Sequence, residues 1–146
     1  MNPAILCGWN QEPFADRLAG EPGLTVCCDQ ENFLTRLTEP VQAVILAAEL
    51  TWSGQATGAF YGFEMLCRLR AELGLGCPVV MASFMEGEWL RRRFPILDFQ
   101  SHHPLVRLPA RPQTLRQAAM NAKQADRFRL RDMVRSYCDP QERLLR

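Results

Sequence analysis

The stretch Val41 to Leu50, VQAVILAAEL, constrains this chain more than any other. Seven of its first eight residues are apolar and no polar residue falls at every second position, so it reads as a strand covered on both faces. Such a strand belongs in the middle of a parallel sheet. In open parallel sheets function gathers just beyond the carboxyl ends of the central strands. What stands there is Ala47, Ala48 and Glu49, one carboxylate and no nucleophile.

The segments around this strand alternate. Ala4 to Gly8 predicts a first strand, and Glu12 to Leu18 a helix with Pro13 in its first turn. Leu24 to Cys28 predicts a second strand. Asp29 or Glu31 then opens a helix with Phe33, Leu34 and Leu37 at core spacing, and Pro40 closes it. Thr51 to Tyr61 is longer than such a connection needs, and Gly54, Gly58 and Gly62 recur through it at every fourth residue. A phosphate-cradling loop would set its glycines directly between strand and helix and follow them with Lys-Ser or Lys-Thr. This stretch has no lysine, so a flap over the strand ends or an early helix start is expected instead. Gly62 to Leu73 predicts a helix with Phe63, Leu66 and Leu73 inward and its arginines outward. Val79 to Ser83 predicts a strand, Glu86 to Phe94 a short helix, and Ile96 to Phe99 a short apolar segment. Leu105 to Leu108 predicts the fifth strand, with a long final helix from near Gln113. Strands alternating with helices imply right-handed crossovers and an α/β fold. The expectation is a doubly wound, five-stranded parallel sheet, flavodoxin-like, in the order 2-1-3-4-5.

Composition bounds the class. With 146 residues, 47% of them hydrophobic and 23% charged, the chain makes one globular core. No apolar run is long enough to span a bilayer and the first residues lack a signal-peptide pattern, so a cytoplasmic protein with no membrane partner is expected. The net charge of +1 conceals an asymmetry: residues 111–146 hold nine basic and four acidic side chains, residues 1–110 eight basic and twelve acidic. Contact with nucleic acid is therefore expected only through the basic final helix. The six cysteines form no C-x-x-C pair, and His102 and His103 do not sit at zinc-finger spacing from one. Reduced core thiols, no metal and no cofactor are expected, with both histidines solvated in a Ser-His-His-Pro turn.

GFEMLCRLR followed by PVVMASF, then Pro109 with Leu115 six residues beyond, resembles the second half of response-regulator receiver domains, and the likeness runs from about Ala4 to Met120. It implies a receiver-like domain over 1–120, a basic helical extension over 121–146, and a role in bacterial-type signal transduction. Receivers hold a magnesium ion on two acidic residues after the first strand and phosphorylate an aspartate at the end of the third. A Ser or Thr senses the phosphoryl group and a lysine neutralises it. Here the acidic pair falls on Trp9 and Asn10, the acceptor on Ala47, and the lysine on Leu108, with only the hydroxyl kept, as Ser83. Losing metal and positive charge together removes what phosphoryl transfer depends on. The resemblance is thus to a degenerate, non-enzymatic receiver. A slip of two residues would set Glu49 at the acceptor position as a fixed negative charge.

Such a pseudo-receiver would still offer the surface of its fourth helix, fifth strand and fifth helix. Trp89, Arg91, Arg92, Arg93 and Arg107 concentrate there, and Trp and Arg are the types enriched at binding hot spots. The expected partner is another protein or a second copy of the chain. The alternative is a small-ligand sensor with a pocket under the 51–61 loop, lined by Asn10, Glu49, Ser53 and Ser83.

Overall fold

The computed structural model describes residues 4–52, 60–98 and 102–122. Ser53, Gly54 and Gly58 of the expected flap, and residues 123–146 of the expected extension with Cys138, lie outside the described residues. Five strands, β1 (Ala4–Gly8), β2 (Leu24–Cys27), β3 (Val41–Ala47), β4 (Val79–Ser83) and β5 (Leu105–Arg107), form one sheet in the order β2-β1-β3-β4-β5. Every pairing is parallel, which gives the flavodoxin-like α/β arrangement. The central strand lies where its composition puts it, between β1 and β4, and is buried without a break from Ala43 to Ala48.

The crossovers are short helices: α1 (Pro13–Ala19), α2 (Gln30–Arg36), α3 (Tyr61–Cys67), α4 (Gly87–Arg93) and α5 (Pro112–Asn121). Asp29 caps α2, its Oδ1 accepting from Asn32 N at 2.7 Å, which satisfies one of the donors a helix start leaves free. Proline opens α1 and α5, where a missing N–H costs nothing. The segment after α4 is a 3₁₀ turn, Pro95–Asp98, with Ile96 and Leu97 buried.

The end of α3 departs from expectation. The helix continues as a π-helical turn, Arg68–Glu72, in which Leu73 N donates to Arg68 O at 3.0 Å. A π turn takes in more residues than an α turn, so it shifts the face that later residues present. Leu73, expected in the core, is therefore exposed, and Arg70, expected outside, is buried. The five described cysteines are free thiols, four of them buried. Burial pushes Cys7 up to about 12 and Cys77 up to about 11, so neither forms a thiolate readily.

Candidate functional site

The carboxyl ends of β1, β3 and β4 meet at one edge of the sheet, and side chains fill it. Trp9, where a receiver would carry an acid, is buried, its indole N–H donating to Glu12 and its ring packed 5.3 Å from Phe14. Trp52 folds back over the end of β1, donating from Nε1 to Trp9 O at 3.1 Å and packing 5.3 Å from Phe33. The space over β1 is so occupied that a Cβ on Gly8 would come within 2.8 Å of the Trp52 ring. Above β3, Gly62 of α3 lies against the backbone of Ala47 and Ala48, and a Cβ there would stand 2.2 Å from Ala47 O. Gly62 N also donates to Ala48 O at 3.0 Å. Trp52 and Gly62 thus do the closing, and sequence reading had marked neither for that role.

Polar groups run along the same edge. Asn10 Nδ2 donates to Glu49 O at 2.9 Å, while Asn10 Oδ1 accepts from Thr51 N at 2.9 Å and from Thr51 Oγ1 at 3.1 Å. The Glu49 carboxylate reaches across to β4, where its Oε1 accepts from Ser83 Oγ at 2.6 Å and from Phe84 N at 3.2 Å. Ser83 Oγ in turn accepts from Met85 N at 3.0 Å. The structure thus brings Asn10, Glu49 and Ser83 into one network, with Trp9 and Ala47 packed beside it. Leu108 is buried, and its peptide bond to Pro109 is cis. Among the described residues no three His, Cys, Asp or Glu side chains come together as metal ligands.

Beyond this edge the five residues singled out near α4 do not share one flank. Leu90 is buried, and successive helical residues turn by about 100°. That rotation carries Gly87 and Arg91 to the β5 side, where a Gly87 Cβ would lie 3.2 Å from Leu105. Arg107, two residues along β5 from Leu105, shares that side. Trp89 and Arg93 turn the other way; the Trp89 ring lies 5.5 Å from Phe60, and the Arg93 guanidinium 5.0 Å from the Phe94 ring. Arg92 points outward and pairs with Glu88 at 2.7 Å. All five side chains are exposed, and Phe84 and Met85, exposed apolar residues at the end of β4, extend the same surface.

At the opposite end of the sheet lies a network that sequence reading missed. Arg70 donates from Nε to His103 Nε2 at 2.9 Å, from Nη1 to the carbonyls of Leu75 and Cys77 at 2.7 Å each, and from Nη2 to His102 O at 3.2 Å. His103, expected in solvent, is buried, and its Nδ1 sits 3.2 Å from Ile96 O. Burial first, and the Arg70 cation second, push His103 down to about 3, so it is neutral, with Nε2 accepting and Nδ1 donating. Burial also lowers Arg70, to about 10, leaving it charged at neutral pH. One signal was available: Phe63, Leu66 and Arg70 stand at i, i+3 and i+7, the spacing of a single helix face.

The chain matches no protein-family model, and no curated protein is similar enough to it to count as a relative.

Proposed function

We propose that this chain is a receiver-like module that takes no phosphoryl group and acts by binding another protein, through the face built from α4, β5 and the start of α5. The observation that carries the reading is the closed edge of the sheet. Where a receiver would seat metal and phosphoryl group, Trp9, Trp52 and the Gly62 backbone pack around Ala47. That packing favours an interaction module over a small-ligand pocket beneath the 51–61 loop. Beside the closed edge, Phe84, Met85 and Trp89 are exposed, although large apolar side chains are ordinarily drawn inward.

Charge selects among partners. Arg91, Arg92, Arg93 and Arg107 are all exposed, against Glu86 and Glu88. Two copies joined through this face would set arginines against arginines, whereas an acidic partner with apolar side chains would satisfy both parts of the surface.

The test is photo-crosslinking in the cells that make the protein, with p-benzoylphenylalanine replacing Trp89 or, as a control on α2, Glu31. The expected result is one discrete adduct from the Trp89 position alone, identified by mass spectrometry as an acidic protein and suppressed by Arg92→Glu. An adduct of two copies of the chain would overturn the acidic-partner reading in favour of self-association. No discrete adduct, or the same adducts from both positions, would overturn the interaction face itself.

A further inference from the structure

The turn after β4 is held in an unusual way. Phe84 and Met85 each direct the backbone N–H to a side chain, Phe84 to Glu49 and Met85 to Ser83, and those two side chains are bonded to each other at 2.6 Å. The acid arrives from the end of β3 and is itself held from the end of β1, because Asn10 grips the Glu49 carbonyl and the Thr51 amide that follows. A single line of hydrogen bonds thus joins Asn10, Glu49 and Ser83 to the Phe84–Met85 step across three adjacent strands. What that line fixes is apolar and exposed: Phe84 is 57% and Met85 37% accessible. Three of the five large exposed apolar residues, Phe84, Met85 and Trp89, fall within six consecutive positions that begin at this turn.

We infer that Glu49 is a positioning residue for the interaction surface: its carboxylate clamps the turn after β4 in one conformation and so presents Phe84 and Met85 to a partner that Glu49 itself does not touch. Bonds to an ionised carboxylate are stronger than those between neutral groups, and here one oxygen gathers a hydroxyl and a backbone amide at once. Ser83 alone could hold the Met85 amide. Only the acid ties that hydroxyl, and the Phe84 amide with it, to the central strand. The clamp is built from side chains the chain always carries, so the surface is held permanently in its presenting form. The inference rests on reading Phe84 and Met85 as part of an interaction face, and its test is made on the free protein so that the two fail separately.

That test is residue-resolved amide hydrogen exchange on the full chain, for wild type, Glu49→Ala, Glu49→Gln and Ser83→Ala. Loss of charge-assisted bonds should speed exchange at Phe84 and Met85 on the order of tenfold or more in Glu49→Ala. Ser83→Ala should do the same at Met85. Val80, Met81 and Ala82 within β4 should keep their wild-type rates. Glu49→Gln keeps an oxygen that accepts both bonds and should restore most of the protection. The clamp is overturned if Phe84 and Met85 stay protected in Glu49→Ala, or if the β4 amides loosen equally, which would mean general destabilisation. Either result leaves the Trp89 adduct untouched, and a missing Trp89 adduct leaves the exchange result standing.

Discussion

An arginine buried with no carboxylate beside it needs another source of stability, and Arg70 finds it in backbone carbonyls and a neutral imidazole. Removing a guanidinium from water costs several kcal/mol. Four hydrogen bonds from a charged donor, at about 1.5–3 kcal/mol each, offset that. The fork also joins the loop after α3 to the start of β5, since its acceptors come from Leu75, Cys77, His102 and His103. The arrangement requires His103 to stay neutral, and this sets a pH dependence. An unfolded histidine takes up a proton near 6.5, whereas the folded one resists until about 3, so between these values the unfolded chain binds more protons. The stability from His103 is complete above about 6.5 and declines as the pH falls, by up to about 1.4 kcal/mol per pH unit. Urea unfolding between pH 7 and 5, above the range where carboxylates titrate, should show the decline, and His103→Gln should be less stable at pH 7 with a flatter profile.

At the scale of elements, the tightest fit is α3 against the end of β3. Replacing Gly62 with alanine would ordinarily help a helix by about 1 kcal/mol. Here the new methyl would meet the Ala47 carbonyl and the Ala48 backbone, neither of which can turn away as a side chain could. Overpacking of this kind costs typically 1–3 kcal/mol and more where backbone must move. The clash therefore wins, and Gly62→Ala should lower the unfolding free energy by about 2 kcal/mol in a urea titration. Glycine at position 62 was visible in the sequence as part of a recurring pattern, but the reason for it was not, because the close approach joins residues that are distant along the chain. The strands were legible for the opposite reason. A strand buried on both faces must be apolar along its length, and VQAVILA and VVMAS carry that signature themselves. Arg70 and Leu73 were misread because one turn of π helix shifts the phase of everything after it, and no residue type announces such a turn. Asn10, Glu49 and Ser83 were legible as residues near one edge, but the bond from Glu49 to Ser83 depends on a reach across two strands that spacing does not encode.

For the whole molecule, the two ends of the sheet have different characters. The amino end is tied by the Arg70 fork, and the carboxyl end is filled by two tryptophans and a glycine contact. Ala47 offers no group to attack a phosphoryl donor, and Trp9 and Asn10 offer no carboxylate to hold a hard cation. Incubation with acetyl phosphate and Mg²⁺ should accordingly leave the intact mass unchanged; a phosphoryl adduct mapped to this edge would contradict the proposed function. Among the described residues no helix is long and apolar enough to cross a membrane.

The three tryptophans divide between these regions in a way that can be seen optically. Trp9 is 2% accessible and Trp52 lies partly covered against Phe33, whereas Trp89 is 41% accessible on α4 beside three arginines. Emission should therefore contain a blue component from the closed edge and a red one from the helix surface. Iodide, drawn by the neighbouring guanidinium groups, should quench the red component first, and Trp89→Phe should remove it while leaving the blue one in place. The chain thus carries two native chromophore reports: one on whether its sheet edge stays shut, the other on what approaches its fourth helix.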